Sequence, residues 1–286
     1  MTNVLSTPLA GTSATLAGRV TAALGDPSRL GVAFSGGVDS SVLLALAARA
    51  LGAHRTLAVL GVSPSLPDAE RAAAHAVASA IGVPVVEVVT REGDLPAYRA
   101  NGPDRCFHCK DELFGRISDE VAERHGLTAV AYGENAEEAL RPDRPGALAA
   151  VQHRVLRPLA DAGLGKADVR QLARDLGLPN ADKPAAPCLA SRIPHFEEVT
   201  PEKLRQVGAA EASVRALGFT DVRVRHHGDV ARLEVLLADL PRAASELRQP
   251  LLDAVRAAGF RFVSLDLAGI QSGAFTLPLV VRGERG

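Results

Sequence analysis

The sequence predicts an α/β protein: a doubly wound, mostly parallel sheet, followed by a smaller C-terminal α+β domain. Between residues 29 and 133, strand-length apolar runs alternate with helix-length segments, which is typical of a parallel sheet covered on both faces. After Pro194 this alternation gives way to longer helices and an alternating hairpin pattern. We therefore expect a first domain over residues 1–194 and a second over residues 195–286.

The first part of the chain contains four predicted strands and the helices between them. The strands are Gly31–Phe34, Thr56–Val62, Pro84–Val89 and Leu127–Tyr132, and the helices are Val38–Leu51, Pro67–Ile81 and Cys109–His125. Leu113, Ile117 and Val121 recur at helical spacing, whereas the short Val-rich runs favour strands. Glu92–Arg105 and Glu134–His153 are rich in Pro, Gly and charge. We expect them to be irregular, and they follow strands, where doubly wound folds bind ligands.

The remaining elements are simpler to assign. Lys166–Leu176 is predicted to be a helix closed by Gly177, and Pro179–Pro194 has no helical period. The later elements are the helices Pro201–Leu217 and Pro241–Ala258 and the strands Asp221–His227, Val230–Leu237 and Arg261–Leu267. The first two of these strands are expected to pair as a hairpin around Gly228 and Asp229.

Composition narrows the classes of function. The chain has 286 residues that are 47% apolar, and 32 Lys+Arg balance 33 Asp+Glu. A globular core is therefore expected, without a global attraction to nucleic acid or anionic lipid. Only 3% of residues are aromatic, which disfavours a surface that stacks on bases. Residues 2–18 do not resemble a signal peptide, and no apolar run has membrane-spanning length. We expect a cytoplasmic protein without nucleic-acid or membrane partners.

The most specific motif is the string Ser-Gly-Gly-Val-Asp-Ser-Ser at Ser35–Ser41, between a predicted strand and a predicted helix. The glycines allow a tight turn and close approach of backbone to an anion, and the helix directs its N–H groups at that anion. The serines add hydroxyl donors, and the aspartate is suited to orienting a metal ion. The candidate ligand-binding residues are Ser35, Gly36, Gly37, Asp39, Ser40 and Ser41. An ordinary glycine turn before a helix is the alternative.

This string resembles the PP-loop of the ATP pyrophosphatase superfamily. The resemblance implies an adenine nucleotide alpha hydrolase-like fold, binding of ATP with Mg²⁺, and transfer of AMP to an acid or carbonyl oxygen with release of pyrophosphate. The donors of the loop would stabilise the charge on the departing pyrophosphate. Asp39 and Ser40 are the catalytic candidates. The string has no Lys, which separates it from the Gly-Lys-Ser/Thr loop of kinases and GTPases.

The three cysteines are the second set of candidate functional residues. Cys106 and Cys109 lie at the start of a predicted helix, and Cys188 lies in a Pro-rich segment. Lys183 and Arg192 flank Cys188, and their positive charges favour the nucleophilic thiolate. Residue type leaves several roles open: buried apolar side chains, a redox pair, a zinc site completed by a histidine, or a [4Fe–4S] cluster with one open iron.

Five segments together resemble the LarE-type ATP-dependent sulfur transferases, which help to make the nickel-pincer nucleotide cofactor of lactate racemase. The segments are Ser35–Ser41, Cys106–Cys109, Arg144-Pro145-Gly146, Ala162–Lys166 and Lys183–Pro194. The Cys188 segment is the most specific of the five, because PP-loops are shared by many activities. At residues 133–138, Gly-Glu-Asn-Ala-Glu-Glu stands where family members usually have Gly-Thr-Asn-x-Asp-Asp.

The resemblance implies a two-step reaction. ATP adenylates a carboxylate of pyridinium-3,5-biscarboxylic acid mononucleotide, and a sulfur nucleophile then displaces AMP to give a thiocarboxylate. In one subgroup the cysteine that matches Cys188 forms a thioester and gives up its own sulfur. In another subgroup three cysteines hold a [4Fe–4S] cluster. The matching cysteines Cys106, Cys109 and Cys188 are therefore expected to be ligands of a cluster, and Cys188 is also a catalytic candidate.

The resemblance also implies roles for charged residues. Apart from the resemblance, the positive charge of Lys183 or Arg192 is expected to stabilise the acyl-adenylate. Arg223 and Arg225 match arginines near the substrate phosphate. Two acidic residues match side chains implicated at the same site, some as metal ligands; they are Glu211 and Glu234. A solvated charged face is the alternative for the last four residues. The family also implies a homo-oligomer and allows for an external sulfur donor.

Other functions remain open at this point. One is a PP-loop tRNA thiolase, which should carry a basic surface interleaved with aromatic residues. Another is an ammonia-using ligase, which usually brings a glutaminase or a channel. A third is a regulatory protein that binds ATP without turning it over. The charge balance and the low aromatic content disfavour the tRNA thiolase, and the family resemblance implies sulfur transfer to a small nucleotide substrate.

Overall fold

A computed structural model describes residues 4–140 and 146–271, and the chain packs into two compact units. The first unit comprises Met1–Glu92 and Cys106–Ala186, and the second comprises Gly93–Arg105 and Pro187–Gly286. A short internal segment, residues 93–105, therefore packs with the C-terminal part of the chain. The predicted domains 1–194 and 195–286 stay a prediction, because compact packing does not test which parts fold independently.

Seven strands form two sheets within the described ranges. The strands are β1 Leu30–Ala33, β2 Thr56–Val62, β3 Val85–Val89, β4 Ala129–Tyr132, β5 Val222–His227, β6 Val230–Val235 and β7 Phe262–Leu265. The first four form one sheet in the order β3-β2-β1-β4, and all of its pairs are parallel. In the second sheet, β6 pairs antiparallel with β5 and parallel with β7. These sheets confirm the predicted α/β class and the smaller second sheet.

The α-helices are short in the loops and longer between strands. In chain order they are α1 Gly11–Leu24, α2 Val38–Leu51, α3 Asp68–Ile81, α4 Pro96–Arg99, α5 Arg105–Arg116, α6 Glu123–His125, α7 Ala136–Ala139, α8 Gly146–Gln152, α9 Pro158–Asp161, α10 Lys166–Asp175, α11 Pro201–Ala216, α12 Leu240–Ala244 and α13 Arg248–Ala257. A π-helical turn over Ile117–Ala122 joins α5 to α6, and a 3₁₀ turn covers Leu189–Arg192.

Helices cover both faces of the parallel sheet. Ala58 and Leu60 of β2 pack in one core with residues of α1, α2, α3 and α10. Leu57 and Val59 pack in a second core with residues of α5 and α8. Because successive side chains of a strand point to opposite faces, a strand buried on both sides is apolar throughout. The carboxyl edge of the sheet is left for the loops that follow each strand, as doubly wound folds require.

Several predicted elements were wrong in detail. Helix α1 was not predicted, although Leu16, Val20 and Leu24 are buried on one face, because Gly, Ser and Thr interrupt the apolar pattern. The stretch Glu134–His153 is not irregular throughout, since it contains α7 and α8. The predicted helix Pro241–Ala258 is broken at Ser245, whose backbone (φ −119°, ψ −85°) leaves the helical region.

In the second unit, α11 packs against β5 and α13. Thr200 caps α11 by accepting a hydrogen bond from the Lys203 N–H, and Pro201 occupies the first turn, where its missing N–H is not needed. The hairpin predicted around Gly228 and Asp229 is confirmed, with His227 paired to Val230. Among the described helices, none combines the length and the apolar character needed to cross a membrane.

Candidate active site

The Ser35–Ser41 loop connects β1 to α2 at the carboxyl edge of the parallel sheet. Gly36 has a φ of 71°, and a Cβ at this position would lie 2.8 Å from the Cα of Ala74, so only glycine fits. Gly37 is the N-cap of α2 and offers no side-chain acceptor to the first N–H groups of the helix. The loop therefore presents the backbone donors and the positive helix end that bind phosphate groups.

The serine hydroxyls hold the shape of this loop. The Oγ atoms of Ser35 and Ser40 are 3.2 Å apart, and Ser40 Oγ donates to the Gly37 carbonyl at 3.1 Å. The Ser41 hydroxyl donates to the same carbonyl at 2.7 Å. Ser40 and Ser41 are buried, whereas Ser35 is exposed. The two buried serines order the turn, and Ser35 is the one that faces solvent.

Asp39 lies in the first turn of α2 and is contacted from two other parts of the first unit. Its Oδ1 accepts a hydrogen bond of 2.9 Å from Nδ2 of Asn135, which follows β4. Its Oδ2 lies 3.8 Å from Nζ of Lys166, at the start of α10. The side chain keeps 19% exposure. A carboxylate fixed in this way next to a phosphate loop is suited to Mg²⁺, which prefers oxygen ligands.

The end of β4 packs directly on the loop. A Cβ at Gly133 would lie 2.6 Å from the Ser40 nitrogen, so this position also has no room for a side chain. The next residue, Glu134, is 1% exposed, and among the described residues neither of its oxygens has a hydrogen-bond partner. Arg157 Nη1 lies 3.6 Å away. Burial, followed by the adjacent Glu134 carboxylate, raises the pKa of Tyr132 well above its usual range.

Lys183 follows α10, in a segment that also contacts the Ser35–Ser41 loop. Its Nζ lies 2.7 Å from Glu70 Oε2 on α3, and both side chains are about a quarter exposed. Arg170 of α10 donates weakly to the Lys183 carbonyl at 3.4 Å. Asn180 Nδ2 donates to the carbonyl of Gly36 at 2.9 Å. The ammonium predicted to stabilise an acyl-adenylate is thus paired with a carboxylate, and that role stays a prediction.

Two of the three cysteines lie together on one helix. Cys106 is exposed on the first turn of α5, and Cys109 is half-buried about one turn further along. Residues three apart on a helix share a face, so the two thiols are neighbours. Cys188 is exposed in the second unit, as the residue before the 3₁₀ turn Leu189–Arg192. None of the three forms a disulfide.

The guanidinium of Arg192 is buried in the second unit and is held by a carboxylate. Its Nε and Nη2 donate to the two oxygens of Glu211 at 2.7 and 3.1 Å. Its Nη1 donates to the carbonyl of Pro187 at 3.0 Å. Glu211 also accepts from Arg215 and from the backbone N–H of Val224. This network links the Cys188 segment to α11 and β5, which gives Arg192 a structural role, and its role at an acyl-adenylate stays a prediction.

A second buried pair joins β5 to β6. Arg225 donates through Nε and Nη2 to the two oxygens of Glu234 at 2.9 and 2.8 Å, and Glu234 is fully buried. Arg232 adds a third cationic contact at 3.3 Å. Arg223, on the same strand as Arg225, donates to the carbonyl of Gln271. Burial, with the charges of Arg192 and Arg225, lowers the pKa of Arg223.

Metal sites are the predictions with the least support from side-chain geometry. In the described part of the chain, no three His, Cys, Asp or Glu side chains are grouped as a metal site. Glu211 and Glu234 are each held by bidentate arginine contacts. Their role as metal ligands stays a prediction, and it requires the carboxylate to give up its contact with the arginine. Arg144 and Pro145, which belong to one of the matching segments, lie outside the described residues.

Three contacts of the loop were missed by sequence reasoning. Asn135, Lys166 and Asn180 each contact the Ser35–Ser41 string, although they lie about 100 to 145 residues further along the chain. Lys166 and Asn135 fall in segments that match the family pattern, which was the available signal. Asn180 had none, because its contact depends on how the turn after α10 folds back on the loop.

Comparison with known proteins defines the class. The asparagine synthase family model matches residues 12–254. The chain is 36% identical over 267 residues to the pyridinium-3,5-bisthiocarboxylic acid mononucleotide synthase of Lactiplantibacillus plantarum, covering 92% of this chain and 94% of that protein. It is 40% identical to an uncharacterized protein of Synechocystis, covering 87% and 92%. A tRNA-specific 2-thiouridylase of Azorhizobium caulinodans is 32% identical, covering 56% and 50%.

These matches and the loop geometry agree on a PP-loop protein that uses ATP. The chain belongs to the asparagine synthase family and, within it, to the LarE-type sulfur transferases. The resemblance of the five sequence segments to that family is thereby confirmed. Assignment to the three-cysteine subgroup stays a prediction.

Proposed function

We propose that this protein is an ATP-dependent sulfur transferase that converts a carboxylate of pyridinium-3,5-biscarboxylic acid mononucleotide to a thiocarboxylate, in nickel-pincer nucleotide biosynthesis. The observation that carries the proposal is the 36% identity, over nearly the full length of both chains, to a protein named for the bisthiocarboxylic product. The Ser35–Ser41 loop supports it, because phosphate-binding backbone and a fixed Asp39 suit the adenylation step.

The proposed first step is adenylation. A carboxylate oxygen of the substrate bonds to the α-phosphorus of ATP, and the bond to the bridging oxygen breaks, so that pyrophosphate leaves. The Ser35–Ser41 backbone holds the pyrophosphate, and Asp39 would hold Mg²⁺, which would neutralise phosphate charge when bound. These contacts act where negative charge accumulates, so they lower the barrier. Lys183 or Arg192 stabilises the acyl-adenylate, and Arg223 and Arg225 hold the phosphate of the substrate.

In the second step a sulfur nucleophile attacks the acyl carbon, and the bond to the AMP oxygen breaks. The donor set of the chain suits a [4Fe–4S] cluster, because Cys106, Cys109 and Cys188 supply three thiols outside any disulfide, and two of them are one helical turn apart. These residues would hold the cluster, which supplies hydrosulfide when bound. Cys188 itself is the alternative sulfur source. A cytoplasmic location, a homo-oligomer and an external sulfur donor stay predictions.

The cluster proposal is tested by metal analysis of protein purified without oxygen. About four irons and four sulfides per chain are expected, and Cys106→Ala should lose them, whereas His108→Ala, between the two cysteines, should keep them. Zinc without iron would make the cysteines structural. No metal at all, with loss of one hydrogen sulfide from the protein after turnover, would assign the sulfur to Cys188.

The function is tested by product analysis with ATP, Mg²⁺, sulfide and pyridinium-3,5-biscarboxylic acid mononucleotide. Pyrophosphate release should require the mononucleotide, and mass spectrometry should show one oxygen of the product replaced by sulfur. An amide product with ammonia would contradict the proposal in favour of a ligase. Thiolated tRNA would favour a tRNA thiolase, and ATP binding without pyrophosphate release would favour a regulatory protein.

A further inference from the structure

Asn180 is a buried residue outside every motif described above, and its side chain contacts the phosphate loop twice. It lies in the turn after α10 and is 6% exposed. Its Nδ2 donates to the carbonyl of Gly36 and to the hydroxyl of Ser41, both at 2.9 Å. Both N–H groups of the amide are therefore used on one loop.

The geometry fixes the orientation of the amide. If the side chain were flipped, its oxygen would face the Gly36 carbonyl, and two acceptors would repel each other. Among the described residues, the Oδ1 atom has no hydrogen-bond partner. The hydrogen bonds that the Asn180 side chain makes to the loop are therefore those that its nitrogen donates.

The orientation of the Gly36 carbonyl determines which groups the loop presents to a phosphate. In a trans peptide the C=O and the following N–H point in opposite directions, so the group that holds the Gly36 carbonyl also sets the direction of the Gly37 N–H. That N–H donates a hydrogen bond of 3.3 Å to Ser35 Oγ, and Ser35 is exposed, so the N–H lies on the solvent side of the loop. A peptide between two glycines rotates easily, and a carbonyl turned to that side would repel a phosphate.

The turn that carries Asn180 is itself fixed within the first unit. The Asn180 carbonyl accepts from the Lys183 N–H at 3.1 Å, and the Ala181 N–H donates to Leu178. Arg170 of α10 donates to the Ala181 carbonyl at 3.4 Å. The Asn180 side chain therefore contacts the loop from a turn that its own hydrogen bonds and α10 hold in place.

We propose that Asn180 is a positioning residue for pyrophosphate recognition: it holds the Gly36–Gly37 peptide so that its N–H faces the β- and γ-phosphates of ATP. The proposal rests on ATP use by the proposed function, but not on the sulfur chemistry or on the carboxylate substrate.

The test compares two nucleotides that differ in the phosphates concerned. Asn180→Asp keeps the shape but loses both donors and places an acceptor against the Gly36 carbonyl. Calorimetry should show about tenfold or more weaker binding of a non-hydrolysable ATP analogue, and unchanged binding of AMP. Asn180→Ala, which adds no charge, should change in the same direction. Gln152→Glu makes the same chemical change on an exposed side chain and should leave both affinities unchanged.

Two outcomes overturn the proposal. One is unchanged affinity of both Asn180 variants for the ATP analogue. The other is an equal loss of AMP and ATP-analogue binding by folded protein, since a merely structural residue affects both ligands. Circular dichroism shows which variants are folded, and Asn180→Ala decides the matter if the aspartate variant is not. Wild-type protein that binds the ATP analogue but forms no thiocarboxylate would contradict the proposed function and leave this inference intact.

Discussion

The polar groups of the phosphate loop in the first unit and of the arginine–glutamate network in the second unit are held in place by different physical means. The loop uses backbone N–H groups and a helix end, and its shape is set by neutral hydroxyls and amides such as Ser40 and Asn180. The network consists of guanidinium groups, and a buried carboxylate such as Glu211 or Glu234 fixes the orientation of each one. Removing a loop residue should therefore affect ligand binding first, whereas removing a network carboxylate should affect folding first.

The largest expected effect is on stability, from Glu234→Ala. This change leaves the buried Arg225 guanidinium without the Glu234 carboxylate, and breaking such a buried ion pair costs about 3–5 kcal/mol. Urea unfolding of the purified protein measures it. Glu202→Ala is the matched control, because Glu202 and Arg205 are both more than two-thirds exposed and such pairs contribute about 1 kcal/mol or less. Equal costs for the two variants would contradict the comparison.

The next effect is on catalysis, from Asp39→Asn. Loss of this carboxylate should reduce substrate-dependent pyrophosphate release by about 10²–10³-fold, as removal of one preorganised electrostatic group typically does. The unfolding midpoint should change little, because the side chain is partly exposed. Asp68→Asn is the control, since Asp68 is an exposed acidic residue in the first turn of the neighbouring helix α3. Retained activity in the Asp39 variant would remove this residue from the proposed mechanism.

The two units should also differ in their response to acid. In the second unit, burial and then the charge of Lys203 lower the pKa of His226. The unfolded chain, with a histidine pKa of about 6.5, then binds a proton more tightly. Stability should fall as pH drops below that value and level off below the folded-state pKa. His226→Gln should flatten this part of the stability–pH curve, whereas His54→Gln, at an exposed site, should not.

The smallest expected effect is on the pH dependence of the free energy of unfolding, and it comes from Glu87 in the first unit. Hydrogen bonds from Arg71, and then from His75, lower the pKa of Glu87 to about 2. Its contribution to stability is therefore present above the ordinary value of about 4.3 and is lost as pH falls toward 2. Glu87→Gln should remove the pH dependence in this window in urea titrations. A slope that persists unchanged in the variant would assign it to other carboxylates.

Sequence reasoning found the features that depend on local pattern. The bounds of α2 and β2 were predicted correctly because apolar spacing and a glycine turn determine them. The break at Ser245 was missed because a single residue's backbone conformation does not change the apolar pattern. The contact of Asn180 with Gly36 was missed for a different reason: the two residues are 144 positions apart, and no pattern connects them. The pairing of Lys183 with Glu70 is unpredictable for the same reason.

One consequence of the packing concerns how this sequence can vary. Ala74 has no functional group, yet it lies where a side chain on Gly36 would be, and it is fully buried. Close-packed interiors transmit even a methylene of extra volume to their neighbours. The identity of residue 74 is therefore constrained by a loop 38 positions earlier in the chain. The choice of residue at position 74 is therefore restricted by packing against the Ser35–Ser41 loop, although Ala74 takes no part in any reaction.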